Sequence, residues 1–328
     1  MCWQTALSLL QIRFKEELNM ISFLLFKKIV SLYLILLMGY AAVKTGIIKP
    51  SESKVLSAMY LYFITPSVMI TSFQIDHSPD IVRGLLLSIF AAFAAMLLSF
   101  LIAGILKRPL KLSIVEQAAF EYPNVGNLII PLVTSVLGPE YVVYCSGFII
   151  VQMVMTWTHL VTILSGEKHL NIKKLILNPN MLAILAGLLL FLLKLNLPNV
   201  LYETVYSVSS MVGPMAMFTI GIIMGGADLR KTFAAKRVWL ITLGRIVIVP
   251  LITLPILKFS GISSLAENGK TILMITLMGA SAPTAANLTQ MSQIYSPGDE
   301  VEYVSAINVL STLCCVVTMP LMVALYQL

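Results

Sequence analysis

Ten runs of about 20 apolar residues, parted only by short polar turns, dominate this chain. They cover residues 22–43, 53–73, 83–106, 113–137, 141–164, 179–196, 201–225, 238–258, 270–293 and 302–326, here called spans 1 to 10. A helix needs roughly 20 apolar residues to cross the hydrocarbon of a bilayer. The turns, such as "KRPLK" and "SPGDE", are too short to hold a soluble domain. Of the 328 residues, 58% are hydrophobic and 11% charged, against roughly 25% charged in soluble domains. So few polar side chains cannot cover a water-facing surface. The expected fold class is an all-α integral membrane protein with ten transmembrane helices.

The basic residues set an orientation. Turns after odd-numbered spans hold thirteen of the 22 Lys and Arg, among them Lys44, Lys107, Lys173 and Arg230. The opposite side, with the N-terminal segment, holds eight. Lys and Arg favour the cytoplasmic side, so the odd turns are predicted cytoplasmic and both termini outside a cell membrane. The net charge of +7 is spread over these turns without interleaved aromatics, and nucleic acid is not an expected partner. Residues 1–21 read as an N-terminal extension, and 1–19 as an upstream extension of the reading frame before Met20. No cleaved signal peptide is expected. The four cysteines, Cys2, Cys145, Cys314 and Cys315, lack metal-ligand spacing and read as small apolar fillers.

The chain also matches itself. At an offset of 148, Gly39 falls on Gly187, Pro50 on Pro198, Pro66 on Pro214 and Asp80 on Asp228. At an offset of 160, Pro123 falls on Pro283, Asn127 on Asn287 and Glu140 on Glu300. The unit is five spans: 22–164, then a cytoplasmic connector at 165–178, then 179–328. An odd number of spans forces the second unit to enter from the other side, so the repeats are predicted to be inverted, as in secondary transporters.

Spans 4 and 9 are interrupted at matched positions, by "EYPNVGNLIIP" and "GASAPTAANLTQ". Proline removes a backbone donor and glycine loosens the chain. Such breaks persist at membrane depth only inside protein or beside a water-filled cavity. Pro123, Gly126, Pro131 and Pro283 are the expected break and crossover residues. Asn124, Asn127, Asn287 and Gln290 are expected to line a pocket there, where free N–H groups would face an anion. Glu121, near mid-membrane, is a candidate proton carrier. Arg245 could pair with the substrate or with Glu121, or reach back to the headgroups. His159 reads as a hydrogen-bonded helix contact, and Asp80 and Asp228 as helix caps. No metal site or cofactor is expected. The coupling ion, H+ or Na+, stays open, as does a homodimer. HExxH, GxGD and GxxxxGK[ST] patterns are absent, and "YCSG" lacks the first glycine of a GxSG loop. Enzyme chemistry is not expected.

At these two breaks the sequence resembles the auxin efflux carrier family, which includes the plant PIN-FORMED carriers and bacterial malate or malonate permeases. Asn124, Gly126 and Pro131 match the family's N-x-G-F-x-G-x-P, with Asn127 and Ile129 replacing the aromatic and the second glycine. Ala282, Pro283, Ala285, Asn287 and Tyr295 match its span-9 pattern. The resemblance covers residues 22–328. It implies the bile-acid sodium symporter-like fold, with crossed helices 4 and 9. Spans 1, 2, 6 and 7 would form a panel domain, and substrate would move by an elevator-like shift of the remaining core. The expected function is secondary active transport of a small organic anion, a carboxylate. The alternative is a non-transporting sensor or binding protein derived from such a carrier.

Overall fold

Prolines decide where these helices bend. A proline ring collides with the carbonyl four residues back, and widening the turn by one residue relieves the clash. In the computed structural model of the chain, widened turns at Tyr60–Ile64, Val125–Ile129 and Gly244–Ile248 each end two residues before a proline: Pro66, Pro131 and Pro250. No widened turn precedes Pro320, and there the chain kinks instead. Its last helix bends by 51° around residue 316, four before Pro320.

The structure describes residues 27, 30–75, 78–166, 177–285, 288–289, 291–292 and 299–328. The extension 1–21, most of the connector, and Asn287, Gln290 and Tyr295 lie outside them. The helices are α1 (Val30–Lys44), α2 (Pro50–Ser72), α3 (Pro79–Leu110), α4 (Ile114–Glu121), α5 (125–136), α6 (Pro139–Ser165), α7 (Pro179–Leu192), α8 (Asn199–Gly226), α9 (Lys236–Phe259), α10 (Gly269–Ala280) and α11 (Asp299–Gln327). Among the described residues, all regular structure is helical except one antiparallel bridge, Pro123 with Thr284. Helices α2, α3, α6, α8 and α9 are each long and apolar enough to cross a membrane, and α11 makes a sixth when its two arms count as one span. Span 4 corresponds to α4 plus α5, and α10 is the first half of span 9.

Helix α3 shows why the chain suits lipid. Leu86, Phe90, Phe93, Leu97, Leu101 and Ile105 recur every three or four residues and are exposed. Gly84, Ser88, Ala91, Ala95, Ser99 and Ala103 lie on the opposite face and are buried. The buried face mixes these small residues with Leu85, Leu87, Met96 and Ile102, and the small ones allow the close backbone approach that helps helices associate in a bilayer. A methyl group on Gly147 of α6 would overlap Ser88 of α3.

Two groups of helices result. Helix α2 packs on α7 and α8, and α1 meets α8 through glycines. A methyl group on Gly39 would overlap the Phe218 carbonyl, and one on Gly221 the Leu36 carbonyl. Helix α3 packs on α6, α10 and α9, and α11 on α9 and α10. The Tyr33 hydroxyl donates to the Thr312 carbonyl and ties α1 to α11.

Two local expectations change. Pro131 does not interrupt its helix, because the widened turn before it carries helical backbone through 125–136. Ser78, and not Asp80, caps α3 by accepting from the Ile81 N–H (3.2 Å). Asp80 sits in the first turn and pairs with Arg83 at 3.4 Å. Asp228 accepts from the Lys231 N–H (3.1 Å) and so caps a short helix, Leu229–Ala234, before α9.

Candidate functional site

A break in a buried helix frees backbone groups, and each needs a partner. The two breaks partner each other first. The Asn124 N–H donates to the Pro283 carbonyl (2.7 Å), and the Ala285 N–H to the Tyr122 carbonyl (2.9 Å). The two extended segments therefore meet, antiparallel, between α4 and α5 on one side and after α10 on the other. Side chains from other helices complete the set. Gln152 donates to the Pro123 carbonyl (2.7 Å). Asn308 donates to the Thr284 carbonyl (2.9 Å), and Ser311 accepts from the Thr284 N–H (3.1 Å). The Thr284 hydroxyl reaches the Ala119 carbonyl (3.3 Å).

Arg245 closes the list. Its side chain is fully buried. Its three nitrogens donate to the carbonyls of Phe120 (3.0 Å), Ala280 (2.9 Å) and Ala282 (3.2 Å). It pairs with no carboxylate among the described residues, and it does not reach back towards headgroups. Gly244 makes this geometry, since a methyl group there would overlap the buried Phe120 ring.

A cavity of about 1200 Å³ opens onto the crossing. Asn124, Gly126, Gln152, Thr156, Ala285 and Asn308 line its depth. Lys54 in the first turns of α2, Glu302 in the first turn of α11, and Asp228 and Lys231 also line it. Asn124 is 5% exposed, and its Nδ2 has no hydrogen-bond partner among the described residues. The Asn124 side chain does not cap helix α5, which begins at the next residue, and the first N–H groups of a helix need water, a side chain or a ligand as partner. Gly126 has open space where a Cβ would stand. Asn127 lies in the first turn of α5.

Beside the crossing, Glu121 is 1% exposed. Its Oε1 accepts from Gln117 (2.8 Å), and its Oε2 makes no hydrogen bond among the described residues but lies 3.7 Å from His159 Nδ1. The Tyr122 hydroxyl lies 2.9 Å from the same Nδ1 and 3.1 Å from the Met155 carbonyl. Having one proton, it donates to one of them at a time. His159 sits in a widened turn, Thr156–Leu160, that no proline explains. Nearer the basic side, Glu116 forms a two-point ion pair with Arg237 (2.6 and 2.7 Å) and accepts from Tyr303 (2.6 Å).

An interrupted helix pair, hydrogen-bonded at the interruptions and open to a polar cavity, is an arrangement used to pass solutes through membranes. Residues 24–172 and 168–323 match the family model described as Membrane transport protein.

The chain belongs to that family.

No curated protein matches it. Family membership and the long apolar helices make the chain a multi-pass membrane transport protein. Sequence reasoning placed Asn124 and Pro283 at the junction of this transport protein but left Asn308 without a role and passed over Gln152 and Thr156. Asn308 carried a signal, a lone amide in an apolar span. Gln152 and Thr156 did not stand out in a helix that also carries His159.

Proposed function

We propose that the chain is a secondary active transporter of a small organic anion, with the substrate held at the crossing by Asn124, Asn127, Asn287 and Gln290. The observation that carries this is the buried Asn124 amide, unpaired among the described residues, at the start of α5, which its side chain does not cap, on the lining of an open cavity. Donor groups without acceptors suit a carboxylate. Ten spans in two inverted five-helix repeats account for the matched breaks, and the cavity's opening on the basic side corresponds to an inward-facing state. The α1–α2–α7–α8 group is then the panel, and the remaining helices move past it as an elevator. Both termini face out of the cell membrane.

The proton is the coupling ion we favour, since the buried Glu121 carboxylate lies 3.7 Å from the half-exposed His159 ring, within reach of one proton passed between them. Reconstituted protein should take up or release members of a mono- and dicarboxylate panel, and Asn124→Ala and Asn287→Ala should each lower flux about tenfold or more, as loss of a charge-assisted hydrogen bond implies. Wild-type kinetics in both variants would defeat the site. Binding without flux for every anion would favour the sensor reading. Glu121→Gln should flatten the dependence of flux on a pH gradient, and an unchanged gradient response would remove the proton role.

A further inference from the structure

Arg245 is a buried cation with no side-chain counter-charge among the described residues. The three carbonyls that it holds belong to two chain segments. Phe120 lies in the last turn of α4, and Ala280 and Ala282 lie at and just past the end of α10. Each helix C-terminus carries roughly half a negative charge. Two of them facing one point make about one unit, which balances one guanidinium. The planar fork donates to all three acceptors at once, and an ammonium would supply the same charge as a compact point with three donors. In carriers with broken helices, the C-terminal ends of half-helices are places where a coupling cation is held. Here that place is filled by a covalent part of the chain.

We propose that Arg245 is a resident cation, fixed between the C-terminal ends of the two half-helices in place of an exchangeable metal cation. The chain therefore takes no sodium at that point, and its crossing is neutralised in every state of the cycle. Removing the guanidinium should uncover a cation site of carbonyl oxygens in the same place. For flux this rests on the carrier reading above. For binding and stability it does not.

The experiment is thermal unfolding of purified full-length protein at constant ionic strength, in choline, sodium or guanidinium chloride at millimolar concentration, with flux measured in the same ions. Arg245→Ala should unfold at a lower temperature than wild type in choline. Sodium or guanidinium at about 10–100 times its dissociation constant should raise its midpoint by about 2–4 °C, as ligand linkage predicts for a chain of this length. Its flux should rise at least about tenfold with the same ions. Wild type and Arg245→Lys should show neither response. A folded Arg245→Ala whose midpoint ignores both cations would overturn the proposal. If Arg245→Ala yields no folded protein in any ion, Arg245→Lys and Arg245→Met decide. A stable lysine variant beside an unstable methionine variant supports the resident charge, and equal stability overturns it. Absence of wild-type flux would defeat the carrier reading while leaving the midpoint shift of the variant intact.

Discussion

Single residues here are chosen for what they finish. The crossing leaves carbonyls and N–H groups free at membrane depth, and Gln152, Asn308, Ser311 and Arg245 each complete one or more of them. A buried amide or carbonyl left unpaired costs about 1–3 kcal/mol. Asn308→Leu should therefore destabilise the protein by about that amount, read as a lower midpoint of thermal unfolding, because the Thr284 carbonyl loses its donor. Glu116 is the other high-stakes residue. It is 4% exposed, and Arg237 is its ion-pair partner. Arg237→Met leaves a carboxylate buried with only Tyr303 and the Ser113 N–H to satisfy it. Breaking a fully buried pair costs about 3–5 kcal/mol. Arg237 is partly exposed, so about 2 kcal/mol is expected here, and Glu116→Gln combined with Arg237→Met should recover part of it. A double variant as unstable as Arg237→Met alone would show that the buried charge is not the cause.

At the scale of elements, glycine plays opposite parts. Gly39 and Gly221 let α1 and α8 touch backbone to backbone. Gly126, with nothing within 4 Å of a Cβ, opens onto the cavity. Gly221→Val should yield poorly folded protein, while Gly126→Ala should fold and transport. Gly126→Leu should fold, with the same unfolding midpoint as Gly126→Ala, yet lose most of its flux by filling the cavity. The breaks themselves were legible, because Pro123 and Pro283 stand out against apolar sequence and occur at a matched offset. Their partners were not. Gln152 and Arg245 are 29 and 125 residues from the carbonyls of Pro123 and Phe120 to which they donate, and no local pattern marks such a pairing. The widened turns were also hidden, since a proline in a helix can equally produce a kink, as Pro320 does.

At the scale of the molecule, apolar runs announced the membrane, and the breaks announced where two runs would meet. Which way the cavity opens could not be read from composition, because it depends on how two groups of helices lean on one another. A second pocket, about 640 Å³, lies among the turns after even-numbered spans, lined by Gln74, Glu140, Asn196 and Asn268. An elevator would connect these two openings alternately with one site. The most direct measurement uses Gly126→Cys in a background with all four native cysteines replaced. A membrane-impermeant thiol reagent applied from the side of the odd-numbered turns should modify position 126, abolish flux, and be slowed by the transported carboxylate. Full modification with undiminished flux would mean that the anion does not pass the crossing, and would contradict the account.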